Sequence, residues 1–109
     1  MARYNLTKKA DADLSQLYAY SIENFGQAQA DKYYDELIHQ IESIAERPHA
    51  WRQLKRFSPA VRICPCRFHI IIYRVQENGV VEIIRIHPAR TNWQALYELF
   101  LVTDSQNQT

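Results

Sequence analysis

The segment RFHIIIYRVQENGVVEIIRIHPAR, residues 67–90, contains two strongly β-forming runs separated by Asn78-Gly79. An Asn-Gly pair between β-branched runs is typical of a two-residue hairpin loop with a type I′ turn. Cationic and imidazole side chains gather at the open end of this hairpin, away from the turn: Arg67, His69, Arg85, His87 and Arg90. The segment therefore predicts the centre of a sheet whose open end is either a solvated surface or a functional site.

The predicted turn also sets the register of the hairpin and assigns side chains to its two faces. It pairs Ile72 with Arg85 and Arg74 with Ile83. Because side chains alternate along a strand, one face is predicted to carry Phe68, Ile70, Ile72, Val81, Ile83, Arg85 and His87, and the other Arg67, His69, Ile71, Tyr73, Ile84 and Ile86. Both faces are therefore apolar near the turn and polar at the open end.

Two amphipathic helices are predicted before the hairpin. Thr7 is a candidate N-cap for the first, and Gly26 separates it from the second, which ends before Pro48. Their apolar residues recur at helical spacing: Ala10, Leu14, Leu17, Tyr18 and Ile22 in the first, and Ala30, Tyr34, Leu37, Ile41 and Ile44 in the second. The short turn between them predicts an antiparallel αα-hairpin that packs on one face of the sheet.

Shorter elements complete a predicted α+β domain. Residues 3–6 predict a first strand, and residues 61–63 predict another, with Pro65 marking an edge strand or a bulge. Near the C-terminus, a short helix is predicted to cover the sheet with Trp93, Leu96, Tyr97 and Phe100. We expect residues 1–103 to form a single domain and the polar residues 104–109 to fray.

The composition is that of an ordinary globular domain, but the charges are unevenly distributed. Of 109 residues, 47% are hydrophobic and 23% are charged. Residues 1–50 carry five basic and eight acidic side chains, whereas residues 51–109 carry eight basic and four acidic ones. No acidic residue lies between Arg47 and Arg74, which suits either a solvated face or a surface for nucleic acid or an acidic protein segment. Without a signal peptide or a membrane-length apolar run, we expect a cytoplasmic protein.

The two cysteines do not predict a metal site. Cys64 and Cys66 are separated by one proline, which is too close in an extended segment for a disulfide, and we expect free thiols. Zinc bound by these cysteines with His69 and His87 would lack the usual spacing of zinc ligands. The sequence therefore predicts no metal and no cofactor.

Several short motifs, taken in order, resemble a known family. They are YNLTKKADADL at the N-terminus, FG-x-x-x-A-x-x-Y from Phe25 to Tyr33, RPHAW, HIIIYRV and RIHPAR. Their order and spacing are similar to those of the ParE/RelE superfamily of type II toxin–antitoxin toxins, which includes plasmid stabilisation proteins, over almost the whole chain. The resemblance implies an N-terminal strand, an antiparallel αα-hairpin packed on a small, mainly antiparallel sheet, and a short C-terminal helix.

The superfamily has two functional branches, and the chain resembles the ParE-like branch. RelE-like members are ribosome-dependent mRNA endoribonucleases, which need cations to hold the phosphate and an acid or base for proton transfer. ParE-like members bind and inhibit DNA gyrase. The H-x-A-R motif at residues 87–90 is ParE-like, and Trp93 lies where RelE-like chains tend to have a tyrosine. The resemblance implies a gyrase inhibitor that arrests growth; the alternatives are a RelE-type endoribonuclease and an inactive antitoxin-binding member.

Candidate site residues follow from these alternatives. A target-binding surface would use Arg62, Arg67, Arg85, Arg90 and Trp93. A ribonuclease would draw on His69, His87, Arg90 and Tyr97. Each group also has a purely structural interpretation, since strand-edge arginines deter edge-to-edge pairing, histidines often complete hydrogen bonds, and Arg90 could pair with Glu98.

The resemblance also implies partners. A cognate antitoxin is expected to wrap its flexible C-terminal segment around the domain in a toxin–antitoxin hetero-oligomer, using Tyr18, Tyr33, Tyr34, Trp51 and Arg52 of the toxin. Apolar surface left on the domain would suit an amphipathic segment, and acidic residues on it would suit the basic stretch from Arg52 to Arg67. The target would be DNA gyrase, or the ribosome and mRNA in the alternative, with no membrane partner.

Overall fold

The computed structural model describes residues 3–90 and 92–107, with side chains up to residue 102. The elements are, in order, β1 (Tyr4–Leu6), α1 (Lys8–Phe25), α2 (Gln27–Glu46), β2 (Gln53–Leu54), β3 (Val61–Cys66), β4 (His69–Val75), β5 (Val81–Pro88) and α3 (Trp93–Asn107). The strands form one sheet in the order β1-β5-β4-β3-β2. β1 pairs with β5 in parallel, and the other neighbours are antiparallel. The predicted α+β fold is confirmed, with the two-residue β2 added in the segment predicted to be a loop.

Local signals fix the start and end of α1. The Thr7 Oγ1 accepts a hydrogen bond from the Ala10 N–H at 3.0 Å, which is the predicted N-cap, and donates to the Ile84 carbonyl at 2.7 Å. Gly26, with φ of +88°, ends the helix at Phe25 and lets α2 begin at the next residue. The N-cap therefore also ties the start of α1 to β5.

Each face of the sheet has its own apolar core. The αα-hairpin of α1 and α2 covers the first, which contains Leu14, Leu17, Leu37, Ile41, Ile44, Ile71, Tyr73, Val81, Ile83 and Ile86. The second lies under α3 and the loop before β3, and contains Phe57, Val61, Ile63, Ile70, Ile72, Ile84 and Tyr97, with Trp93 and Phe100 packed against it. The predicted role of α3 as a cover for the sheet is confirmed, although Leu96 and Leu99 on this helix are exposed.

The β4–β5 hairpin differs from the predicted type I′ geometry. Gly79 has a left-handed φ of +85°, whereas Asn78 does not have a positive φ. The Gly79 N–H donates to the Gln76 carbonyl and the Gln76 N–H to the Val80 carbonyl, both at 2.9 Å, as in a three-residue loop that ends on a left-handed glycine. The hairpin therefore has a three-residue loop, and the prediction of a two-residue type I′ turn is wrong.

A register shift between Ile72 and Tyr73 limits the predicted pairing to the open end of the hairpin. Ile72 pairs with Arg85 as predicted, but Arg74 pairs with Glu82 and not with Ile83. As a result, Val81 and Ile83 face the αα-hairpin together with Tyr73, not the side of Ile70 and Ile72 as predicted. A bulge inserts one residue, and each inserted residue moves the side chains beyond it to the other face.

Two further predictions, for Pro65 and for the C-terminal helix, can be compared with the structure. The prediction of an edge strand is wrong for β3, because β2 flanks it, but Pro65 itself lies beyond the β2 partners Val61 and Arg62, in the part of β3 that pairs with β4 only. The helical backbone of α3 continues to Asn107, further than the sequence predicts. Fraying from residue 104 stays a prediction, and residues 108–109 lie outside the described residues.

Candidate functional site

The β3–β4 turn, formed by Arg67 and Phe68, lies at the open end of the β4–β5 hairpin. Arg67 has a left-handed backbone with φ of 52°, which costs a residue with a Cβ about 1 kcal/mol or more. Phe68 is 58% exposed. The Ala89 N–H donates to the Phe68 carbonyl at 2.8 Å, so the residues that follow β5 lie beside this turn.

Tyr33 of α2 holds the β3–β4 turn from the helical side. Its hydroxyl lies 3.1 Å from the Cys66 carbonyl and 2.7 Å from Nδ1 of His69, and accepts from the Phe68 N–H at 3.3 Å. Burial raises the pKa of Tyr33 to about 12, and burial also lowers the pKa of His69. Near neutral pH a protonated tyrosine hydroxyl therefore faces a neutral imidazole.

Cationic side chains flank the turn, as the sequence predicts. The Arg67 Nε pairs with Glu36 of α2 at 2.8 Å, yet 60% of the Arg67 side chain remains exposed. Arg90, which follows Ala89, is also exposed. Within the described part of the chain no ion pair joins Arg90 to Glu98. Two exposed arginines and an exposed phenylalanine therefore share the open end.

Arg85 has a different environment from the other predicted target-binding arginines. Its Nε and Nη2 donate to the two carboxylate oxygens of Asp13 in α1, at 2.8 and 2.9 Å, and the Ile86 N–H donates to the same carboxylate at 2.9 Å. The guanidinium also lies 4.9 Å from the centroid of the Phe100 ring. This bidentate pair clamps α1 to the edge of β5 that β1 leaves uncovered, and the Arg85 side chain is only 18% exposed.

His87 and Tyr97, candidates for proton transfer in a ribonuclease, are both buried. The Nε2 of His87 is enclosed without a hydrogen-bond partner among the described residues. Burial and the nearby charge of Arg85 lower the pKa of His87. Tyr97 packs edge-on to Phe57 in the second core, and burial raises its pKa to about 12.

Other predicted contact residues are distributed around the sheet edge. Arg62 donates to the Trp51 carbonyl at 2.6 Å and thereby ties the segment after α2 to β3. Trp51 is half-buried against the first core, whereas Arg52 is exposed. Trp93 packs against the second core and is also half-buried. The structure therefore does not bring Arg62 and Trp51 together with the open end into one site.

A groove of about 550 Å³ lies between α1 and α2, on a different part of the surface from the β3–β4 turn. Its lining comprises Asp11, Leu14, Ser15, Tyr18, Asp31, Tyr34 and Asp35. The Tyr18 hydroxyl donates to Asp31, and this hydrogen bond is the largest contribution to the raised pKa of Tyr18. Tyr18 and Tyr34 pack edge to face at 5.5 Å. Two of the predicted antitoxin-binding tyrosines therefore share an acidic groove, whereas Tyr33 faces the turn.

The cysteines are free thiols, as predicted. Cys64 is buried, and its Sγ accepts from the Gln40 side chain at 3.0 Å. Burial raises the pKa of Cys64 to about 11, so the thiol stays protonated at neutral pH. The described residues contain no group of three or more His, Cys, Asp or Glu suited to a metal ion.

Among the described residues, no helix combines the length and apolar character that a membrane span requires.

Sequence reasoning identified the cations of the open end but missed the residues that organise it. Arg67, His69 and Arg90 do lie around the β3–β4 turn. Glu36 and Asp13, which pair with Arg67 and Arg85, were not predicted, because partners far apart in sequence leave no periodic signal. Phe68 was assigned to an apolar face, although its position between two strand-forming runs could have indicated an exposed turn.

Comparisons with known proteins agree with the resemblance in the sequence. Residues 4–93 match the family described as "ParE toxin of type II toxin-antitoxin system, parDE". Toxin ParE1 of Caulobacter vibrioides is 39% identical over 87 residues, which cover 79% of this chain and 88% of that protein. Toxin ParE1 of Mycobacterium tuberculosis is 29% identical over 85 residues, covering 78% of this chain and 87% of that one.

The fold has a counterpart among solved structures. A chain from the chromosomal ParDE toxin–antitoxin system of P. aeruginosa superposes with a TM-score of 0.69 at 22% identity, covering 81% of this chain and 96% of that one. At this identity the likeness concerns the fold. The chain belongs to the ParE family of toxins from type II toxin–antitoxin systems.

Proposed function

We propose that this ParE-family toxin arrests growth by binding DNA gyrase, without cutting RNA, and that a cognate antitoxin neutralises it. The observation that carries the proposal is the composition of the open end. Arg67, Phe68 and Arg90 are exposed there, while the candidate proton-transfer groups nearby are buried or hydrogen-bonded. Such a surface is suited to binding a partner.

The chemistry of RNA cleavage supports this distinction. Attack of a 2′-hydroxyl needs a proton acceptor in reach of the RNA and a cation that stabilises the phosphorane. The hydroxyl of Tyr97 is protonated at neutral pH, because its pKa is about 12, and the ring lies in the second core. His87 is 5% exposed. Neither group can approach a phosphate without opening the packing under α3.

The RelE-type alternative rests on one specific contact. The hydroxyl of Tyr33 and Nδ1 of His69 are 2.7 Å apart, beside Arg67. The Tyr33 hydroxyl has one proton. If it goes to Nδ1, the imidazole proton is on Nε2 and His69 offers a donor; if it goes to the Cys66 carbonyl, 3.1 Å away, Nε2 of His69 is a proton acceptor. A ribonuclease would therefore depend on His69, because the other two candidate acid–base groups, His87 and Tyr97, are buried, and on that ground we favour the binding function.

The direct experiment compares two targets. Purified toxin is added to DNA gyrase in a supercoiling assay, and separately to translating ribosomes with mapping of mRNA ends. We expect loss of supercoiling with intact mRNA. Codon-positioned cuts that disappear in His69→Gln or Tyr33→Phe would replace the proposal with the ribonuclease. Growth arrest without an effect on gyrase would exclude gyrase as the target, and a chain inert in both assays and in cells would be an inactive antitoxin-binding member.

The proposed antitoxin site lies on the αα-hairpin. The groove between α1 and α2 is lined by the half-buried rings of Tyr18 and Tyr34, with buried Leu14 also in its lining. An amphipathic segment docked along two helices would cover these rings, and acidic residues elsewhere on the segment would suit exposed Arg52. We therefore propose that the antitoxin spans the groove and continues towards the basic stretch.

Co-expression with the products of neighbouring genes tests the antitoxin proposal. A stable complex is expected, and Tyr34→Ala should weaken it. Tyr20→Ala is a matched control, because Tyr20 is 61% exposed on α1 but does not line the groove. Equal loss of complex in both variants would rule out the groove as the specific site, and absence of any complex would contradict the antitoxin itself.

A further inference from the structure

The strain and the exposure of the β3–β4 turn occur at neighbouring residues. Arg67 adopts a left-handed backbone where glycine would be relaxed, and the next residue, Phe68, is 58% exposed. Residues in such conformations persist when their surroundings hold them there, and they are concentrated at functional sites. The turn therefore calls for an explanation beyond the connection of two strands.

Contacts from α2 and from the residue after β5 fix this turn in one position. The Tyr33 hydroxyl of α2 lies 3.1 Å from the Cys66 carbonyl and accepts from the Phe68 N–H. Glu36 of α2 pairs with Arg67, and the Ala89 N–H after β5 donates to the Phe68 carbonyl. The backbone that carries Phe68 thus has its conformation set before any partner arrives.

The ring of Phe68 remains available despite these contacts. It packs edge-on to Tyr33 at 5.7 Å between centroids, which supports one side of the ring and leaves most of it exposed. A fixed aromatic ring loses little conformational entropy on binding, and aromatic anchors that fill pockets dominate the energies of many protein interfaces. Phe68 is both held in place by the turn and exposed.

The charges around Phe68 indicate the chemistry of the partner. Arg67 is paired with Glu36 but keeps 60% of its side chain exposed, and Arg90 lies one residue beyond Ala89, which contacts Phe68. A complementary partner surface is apolar where it meets the ring and acidic around it.

We infer that Phe68, held by the strained β3–β4 turn, is the anchor by which this toxin binds its target, and that it enters an apolar pocket with an acidic rim on a protein. This inference rests on the proposed function, because it concerns the same encounter with gyrase. It adds the residue that supplies most of the contact and the chemical character of the pocket. Arg67 and Arg90 then orient the toxin around the anchor.

The test uses purified full-length toxin and bacterial DNA gyrase, with the concentration for half-inhibition of supercoiling as readout. Phe68→Ala is expected to raise this concentration about 30-fold, the loss that marks a dominant interface residue, whereas Phe68→Tyr keeps the ring and most of the inhibition. Phe25→Ala is the matched control, because Phe25 is 65% exposed at the end of α1 and should change inhibition by less than about threefold. Circular dichroism checks that the variants are folded.

A charge pair tests the acidic rim separately. Phe68→Lys and Phe68→Glu both remove the ring, but against an acidic rim the glutamate variant should inhibit about tenfold less well than the lysine variant. Equal inhibition by these two would overturn the acidic rim. Inhibition by Phe68→Ala within about threefold of wild type would overturn the anchor while leaving gyrase inhibition intact.

The anchor and the gyrase proposal can fail separately. If the wild-type toxin does not inhibit gyrase, the proposed function fails, and growth arrest in cells then tests the anchor. Loss of arrest in Phe68→Ala but not in Phe25→Ala would support the anchor on another protein target. Arrest by Phe68→Ala equal to wild type, or codon-positioned mRNA cuts by the wild type, would overturn it.

Discussion

Arg85 and Arg90 lie close together in the sequence at the end of the same hairpin, yet their environments are opposite. Arg85 is clamped by the carboxylate of Asp13, and Phe100 covers its guanidinium. Arg90 is exposed beside the β3–β4 turn. A sequence that reads as one cationic cluster therefore contains a structural arginine and a surface arginine, and each predicts a different response to mutation.

The largest effect is expected from breaking the largely buried pair of Asp13 and Arg85, whose side chains are 12% and 18% exposed. Asp13→Ala removes both hydrogen bonds to Arg85 and the one to the Ile86 N–H, and leaves a guanidinium with little access to water. Removal of one partner of a buried ion pair typically costs about 3 kcal/mol or more of unfolding free energy. Urea unfolding should show this loss. Glu23→Ala, an exposed site on the same helix, should change it by less than about 0.5 kcal/mol, and a similarly small change for Asp13→Ala would contradict the clamp.

Reversal of the charge at Arg90 should leave stability almost unchanged but weaken the inhibition of gyrase. Arg90→Glu is expected to change the unfolding free energy by less than about 0.5 kcal/mol, because the side chain is exposed. Its inhibition of gyrase should fall about tenfold, mainly through slower association, and the loss should shrink at high salt. Supercoiling assays at two salt concentrations measure both effects. Unchanged inhibition would remove Arg90 from the target surface.

Burial of His69 and His87 predicts that stability depends on pH. The pKa values of His69 and His87 are lowered, chiefly by burial, and the charge of Arg85 contributes at His87. The unfolded chain then binds protons more readily than the folded one below about pH 6.5, so stability is fully present above that pH and falls as the pH decreases.

This loss should reach up to about 1.4 kcal/mol per pH unit for each histidine. Urea unfolding between pH 7.5 and pH 5.5 measures the slope, which should become shallower in His87→Gln. His39→Gln, at an exposed position on α2, serves as the control. A slope in His87→Gln that equals that of the wild type would show that this buried ring does not resist protonation.

A smaller effect is expected at the tyrosine that supports the exposed turn. Tyr33→Phe keeps the ring but removes the hydroxyl that contacts the Cys66 carbonyl, His69 and the Phe68 N–H. We expect a loss of about 1 kcal/mol in unfolding free energy. Amide hydrogen exchange should quicken at Phe68, whose N–H loses its partner. Unaltered exchange at Phe68 would mean that the hydroxyl does not hold the turn.

Local patterns predicted the helical half of the fold almost residue by residue. Thr7 and Gly26 mark the boundaries of α1 because capping and left-handed glycine are properties of a few adjacent residues. The hairpin was predicted correctly only at its open end. The register shift between Ile72 and Tyr73 depends on packing across the sheet, which no pattern of alternation contains.

The site was less predictable than the fold for the same reason. The arginines of the open end are visible in the sequence, but the partner of Arg85 is on α1, and the residue that braces Phe68 is on α2. Which cations are free depends on these distant contacts. The position of Phe68 between two strand-forming runs hints at a turn, but its exposure follows from the two-residue length of the β3–β4 turn, which depends on the pairing of Cys66 with His69.

The measurement that tests the central claim most directly is the supercoiling activity of DNA gyrase titrated with purified toxin, together with mapping of mRNA ends from translating ribosomes given the same toxin. The account predicts dose-dependent loss of supercoiling, its reversal by the antitoxin, and intact mRNA. Full supercoiling activity at every toxin concentration, with mRNA cut at ribosomal A-site codons, would contradict it.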